Sequence, residues 1–269
     1  MSGTFSSIWR SVPADIAQKI DRCLTGACEQ QNIRGPVPLF FRADDVAVPG
    51  RQFVRLMGLF SSFRVPLSLA VVPAWLTESR WRHIKKIGSR TPELWCWHQH
   101  GWRHANHEKK NKKQEFGPGR SASQIRKDLV RGRDRLESLL DNDFYPVFTP
   151  PWNRCGLDTL NQLKELGYRA VSRSMGSLPL PPVEIPDFQV NVDLHTRRDS
   201  DPGSGWERLF ADLESAVKGG ICGIMIHHQL MNAAAFEFLE MLLTSIVNQK
   251  GVAPTDFRGL DVYDSKRYY

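Results

Sequence analysis

The chain has 269 residues, 41% of them hydrophobic and 24% charged, the composition of an ordinary globular protein. That length can bury a large core in one α/β domain, and no apolar run approaches the roughly 18–20 residues of a membrane span. The net charge of +7 points first to a solvated basic surface and only then to an anionic partner.

The N-terminus, "MSGTFSSIWRSVPADIAQKIDRC", lacks the basic start and apolar core of a signal peptide, so a cytoplasmic protein is expected. Five cysteines, odd in number and without CxxC spacing, fit a reducing compartment, and a Cys23–Cys28 disulfide is disfavoured. Residues 13–31 read as a helix opened by Pro13, with Ile16, Ile20 and Leu24 at helical spacing. "PVPLFFRADD" is an apolar run ending in charge, the pattern of a buried strand with function at its carboxyl end. A helix follows in "GRQFVRLMGLFSSF", a strand in "VPLSLAVVP", a helix in "ESRWRHIKKIGS" and a strand in "ELWCWHQHG".

A basic connection, residues 105–120, precedes the helix "SASQIRKDLVRGRDRLESLL", capped by Ser121 or Ser123. "PVFTPPWN" is a strand and its exit, "LDTLNQLKELG" a helix closed by Gly167, and "YRAVSRS" a strand. After a proline-rich loop at 179–186 come the strand "FQVNVDLH", the helix "GWERLFADLESAVKG", the strand "GICGIMIHH" and the helix "AAFEFLEMLLTSIVNQKG". About seven strand–helix units predict a parallel, closed or nearly closed (β/α) barrel in a single domain spanning 1–269, with the barrel over roughly 36–250.

In such folds functional groups gather at the carboxyl ends of the strands. Asp44-Asp45, His98, His100 and His104, "TPPWN", Asp193 and His195, and His227-His228 all fall there. His100 and His104 are four apart, a spacing from which two imidazoles can meet one cation. An aspartate as third ligand leaves a position open for water, a neighbouring carboxylate can serve as general base, and a histidine across the site as general acid.

The ordered set "FRADD", "HQHGWRH", "FTPPWN", "VNVDLH" and "IMIHHQ" resembles the polysaccharide deacetylase family, the NodB-homology or carbohydrate esterase 4 group. The resemblance implies a distorted (β/α)7-type barrel and metal-dependent removal of N- or O-acetyl groups from sugars. It makes Asp44 the general base and Asp45, His100 and His104 the ligands of a zinc ion, or another divalent transition metal. It gives the oxyanion-binding N–H to Trp152, an orienting role to Asp193, the acetyl pocket to Met225, and the general acid to His227, with His228 the less favoured choice. Three departures stand out. Thr149 occupies the place of an arginine that pairs with the catalytic aspartate, so either another cation, such as Arg154 or Arg173, is expected to substitute or the base is tuned differently. His228 stands where an aspartate is common, and Gly101 where Ser or Thr is usual.

Other readings weigh against some of these residues. His98 can simply line the barrel, His107 and His83 fit exposed surface, and His195 fits a supporting group. Trp95 and Trp97 suit the core, whereas Trp75, Trp102 and Trp152 near strand exits could stack on sugar rings. The lysine-rich loop reads as a solvated segment over the site rather than a nucleic-acid patch, because glutamates interrupt it and no recognition motif accompanies it. That loop could also contact an anionic substrate such as a phosphorylated or nucleotide-linked sugar. The expected activity is deacetylation of a cytoplasmic amino sugar or glycoconjugate. A C–N hydrolase of a cyclic amide or ureide, and a non-catalytic glycan- or nucleic-acid-binding barrel, are the competing readings.

Overall fold

The computed structural model describes residues 6–31 and 33–265. At its centre is β1 (Val37–Val46), buried almost throughout because Leu39, Phe40, Phe41 and Ala43 present apolar surface to both faces of the sheet. Helix α1 (Ile16–Gln30) precedes it. The chain then alternates: α2 (Arg51–Phe63), β2 (Leu67–Val71), α3 (Glu78–Gly88), β3 (Trp95–His100), α4 (Ala122–Leu140), β4 (Phe144–Thr149), α5 (Leu157–Glu165) and β5 (Ala170–Val171). A helix-free crossover leads to β6 (Val192–Asp193), followed by α6 (Pro202–Lys218), β7 (Cys222–Ile226) and α7 (Ala233–Asn248). The strand order is β5-β4-β3-β2-β1-β7-β6 with every pairing parallel. Ser121 and Gln124 form a reciprocal capping box at the start of α4.

The seam between the two edge strands is closed by residues 187–193. Asp187 bridges Val171, Val190 bridges Ser174, and β6 pairs with β7. The result is the nearly closed, distorted barrel that the strand–helix alternation predicts. β5 and β6 are shorter than "YRAVSRS" and "FQVNVDLH" suggest, since the ladder beyond them survives only as single bonds such as Phe188 N–H to Val171 C=O. Two elements lie beyond the expected barrel end at 250. They are β8 (Val252–Thr255), parallel to the first half of β1, and α8 (Phe257–Ser265). Pro254 hides β8 from a sequence reading, because proline is a poor ladder residue except on an edge.

Strand alternation sorts the side chains into two compartments. Leu39, Phe41 and Ala43 join the layer under the outer helices, as do Trp95, Trp97, Ile224 and Ile226. Phe40, Cys96, Val147 and Met225 point into the barrel, with Phe257 of α8 plugging its lower end against Phe40, His98 and Phe188. Arg42, Asp44, His98, His100 and Thr149 share the inward parity and form the layers above that plug. The sorting decides which polar groups can meet. All five cysteines are free, and no helix among the described residues is long and apolar enough to cross a membrane.

The N-terminal turn Ser7–Arg10 is part of the core. Trp9 is 1% exposed, donates its indole N–H to the Leu194 carbonyl at 2.9 Å, and packs on Trp206, Phe238 and His195 at centroid distances of 5.3–5.5 Å. Replacing Trp9 by alanine removes a large buried ring and its hydrogen bond. Urea unfolding of Trp9→Ala is expected to show a loss of about 3–5 kcal/mol. An unchanged midpoint would contradict this packing.

Candidate metal centre

Asp44 and Asp45 are neighbours, and on a regular strand they would face opposite ways. β1 avoids this with an irregularity. Its register against β2 shifts between Ala43 and Val46, and Asp45 takes a left-handed backbone, φ 61°. The Asp45 carbonyl is held there by the Gln229 side-chain amide at 2.7 Å. Both carboxylates thereby serve one end of the barrel.

The Asp45 Oδ1 lies 3.2 Å from Nε2 of His100 and 3.2 Å from Nε2 of His104. These donor atoms form the one cluster of three among the described residues able to hold a metal ion. Nδ1 of His100 is committed to the Thr149 carbonyl at 2.9 Å, which leaves Nε2 available as a ligand. The Oδ1 is buried, yet no hydrogen bond satisfies it. An unsatisfied buried carboxylate oxygen facing two imidazole nitrogens is a donor set suited to a divalent cation such as zinc. Burial, then the His100 charge, pushes the His104 imidazole down to about 4, so it is neutral and ligand-ready at physiological pH. Burial alone would raise the Asp45 carboxyl, but His100 and His104 hold it well below the usual carboxylate range.

Asp44 is 2% exposed, and its partner is Arg42, two residues earlier on the same inward face. The guanidinium grips the carboxylate with two bonds, Nε to Oδ1 and Nη2 to Oδ2, each 2.8 Å. Asn153 Oδ1 receives Nη2 at 2.6 Å, Ser172 receives Nη1 on its hydroxyl and carbonyl, and the Met225 sulfur lies 3.1 Å from Nη2. Burial would raise the Asp44 carboxyl; Arg42, then His100 and His227, hold it below its ordinary value. The arginine missing at Thr149 is thus supplied from β1. Neither expected substitute does this. Arg173 is buried in a pair with Asp187, and Arg154 reaches the Lys113 carbonyl.

Thr149 keeps a structural task, its hydroxyl meeting Nε2 of His98 at 2.9 Å. His98 lies one layer below the cluster on Phe257, and burial drives its pKa down to about 3, so it is a neutral wall residue. Trp152 sits in a turn with φ 57°, its ring 4.4 Å from the His104 ring centroid, and Trp75 approaches His104 at 5.8 Å. The Trp152 N–H has no acceptor among the described residues.

His227 is near enough for its charge to act on both aspartates. Its backbone N–H donates to Nδ1 of His195 at 3.2 Å, and His195 in turn packs on Trp9. His228 turns away to meet Phe53 edge-on at 5.5 Å, where burial pushes it down to about 4. Asp193 does not reach the cluster through any of its bonds. Its oxygens accept from the N–H groups of His195 and Thr196 at 2.9 Å and from the Thr196 hydroxyl, which fixes the turn that carries His195. Met225 is inward and buried, but its sulfur is engaged by Arg42 and by Asn153.

Sequence reasoning missed Arg42, Asn153, Ser172 and Glu115. Period-two alternation could have exposed Arg42, since it shares a face with Asp44. The other three are brought in by contacts distant in sequence.

No protein-family model matches the chain, and no curated sequence matches it. Solved structures do. A candidate polysaccharide deacetylase from Mycobacterium smegmatis superposes with a TM-score of 0.68 at 16% identity, covering 87% of this chain and 92% of that one. A family 4 acetyl xylan esterase from Clostridium thermocellum, solved with a cobalt ion, gives 0.57 at 13% identity, covering 85% and 92%. A carbohydrate esterase 4 family pseudoenzyme from Bacillus anthracis gives 0.55 at 13% identity, covering 84% and 66%. The resemblance seen in the sequence motifs therefore extends to the architecture: the chain has the distorted (β/α)7 barrel fold of the carbohydrate esterase 4 polysaccharide deacetylases.

Proposed function

We propose that the chain is a metal-dependent hydrolase, with zinc as the first-choice metal, that removes an acetyl group from an amino sugar or glycoconjugate. One observation carries this reading: an ionised, arginine-clamped carboxylate stands beside an Asp–His–His cluster at the mouth of the barrel. A divalent cation between Asp45, His100 and His104 would supply Lewis acidity, polarising an acyl carbonyl and lowering the pKa of a water towards about 7. Asp44, kept ionised by Arg42, accepts the proton of the attacking water. The Trp152 N–H donates to the oxygen that gains charge at the tetrahedral stage. His227, close enough to act on both aspartates, returns a proton to the departing amine. Trp75 and Trp152, both packed near His104, offer apolar surfaces to a sugar ring.

A negatively charged substrate, such as a phosphorylated or nucleotide-linked sugar, is compatible with the basic residues near the site in sequence. Arg103 adjoins the ligand His104, Arg154 follows the Trp152 turn, and Lys109, Lys110, Lys112 and Lys113 are exposed on the loop between. None of them forms an ion pair among the described residues.

Acetate release from a panel of N-acetylated neutral and phosphorylated sugars tests the activity. Asp44→Asn is expected to lower turnover by roughly 10²–10⁴-fold while the protein still takes up metal. A wild-type chain that holds metal and releases no acetate from any member would contradict the deacetylase reading. Arg42→Met should cost about 3–5 kcal/mol of stability, since it leaves a buried carboxylate unpaired. The sign of the pH effect also follows. With Arg42 gone, the upward push of burial on Asp44 is no longer outweighed by its guanidinium, so the acid limb of the rate profile moves to higher pH. A limb that stays in place would show that Asp44 is not the base.

A further inference from the structure

Glu115 belongs to the lysine-rich loop, yet its side chain is fully buried. Its carboxylate collects three consecutive backbone N–H groups. Arg103 donates to Oε1 at 2.7 Å, and Trp102 and His104 donate to Oε2 at 3.1 Å each. These are the residues that lead from Gly101 to the ligand His104, whose own backbone is left-handed at φ 57°. Successive amides converging on one carboxylate make a nest.

The carboxylate is itself anchored. The Glu115 carbonyl accepts from Arg120, and the next residue, Phe116, lies in the core. The Phe116 carbonyl takes the Gly156 N–H and the Thr159 hydroxyl at 2.8 Å each. Gly101 is what lets the carboxylate approach. Its φ is 60°, and a Cβ there would collide with Glu115 Oε2 and lie 2.6 Å from Cγ of Pro151.

We propose that Glu115 is the positioning residue of the metal centre: it pins the 102–104 backbone so that Nε2 of His104 already faces Asp45 Oδ1 before a cation arrives. This rests on Asp45, His100 and His104 being the ligands. The same loop contains an internal control. Glu108 is also buried, but it accepts from the Gly119 N–H at 2.8 Å and from Asn111, and organises the outer part of the loop. Removing Glu115 should therefore affect the metal, whereas removing Glu108 should affect only the loop.

The experiment uses metal-free full-length protein titrated with Co²⁺ and followed by visible absorption, together with amide exchange of Trp102, Arg103 and His104 in the absence of metal. For Glu115→Ala the expected result is a Co²⁺ Kd raised by about 10–100-fold, with faster exchange at those three amides. Glu115→Gln, which keeps one carbonyl acceptor, should fall between Glu115→Ala and wild type, and it supplies the readout should Glu115→Ala not fold. Glu108→Gln should leave both quantities at wild-type values. Wild-type Co²⁺ affinity in the Glu115 variants would overturn the proposal, as would an equal loss in Glu108→Gln. A wild-type chain that takes up no Co²⁺ would sink the metal reading instead, and unchanged exchange in the Glu115 variants would then refute the anchoring on its own.

Discussion

Burying Asp44 inside the barrel would, on its own, favour the neutral acid, and a neutral acid cannot accept a proton. The Arg42 guanidinium opposes that tendency with a two-pronged grip at 2.8 Å. Arg42 can be buried because every prong of its fork has a partner: the carboxylate, Asn153, Ser172 and the Met225 sulfur. Those partners come from the connection after β4, the continuation of β5, and β7. One ion pair therefore ties three separate parts of the barrel to the first strand, and the arrangement of the mouth depends on it.

The mouth is also where the backbone is least relaxed. Asp45, His104, Trp152 and Asn153 all adopt positive φ, a conformation that costs non-glycine residues about 1–3 kcal/mol each. Each departure brings a group to the site. Asp45 turns its carboxylate beside that of Asp44, His104 faces His100 across the shared oxygen, and the Trp152–Asn153 turn presents one N–H and completes the Arg42 cage. The compensation is local and visible: Gln229 holds the Asp45 carbonyl, and Glu115 holds the His104 loop.

The fold was largely legible because its signals are local. Apolar runs ending in charge marked the strands, helical spacing marked the crossovers, and their alternation specified a parallel barrel. What escaped was non-local or disguised. β8 carries Pro254, and the stretch 170–193 forms its ladder through single bonds between residues far apart in sequence. At the site, Asp44, Asp45, His100 and His104 announced themselves by residue type and spacing. Arg42 did not, because a charged residue inside an apolar strand is noticed only when alternation is carried through to the face it shares. Glu115 was masked by the lysines around it, whose charge suggests solvent while the glutamate points inward.

The barrel fold is common to proteins described as deacetylases and to one described as a pseudoenzyme, so architecture alone does not separate the two. The proposed hydrolase depends on whether the cluster of Asp45, His100 and His104 is a metal centre. Metal content by mass spectrometry, on wild type reconstituted with zinc and on Asp45→Asn and His100→Ala treated alike, addresses that directly. About one zinc per wild-type chain, absent from both variants, is the expected result. A reconstituted wild-type chain without bound metal would contradict it.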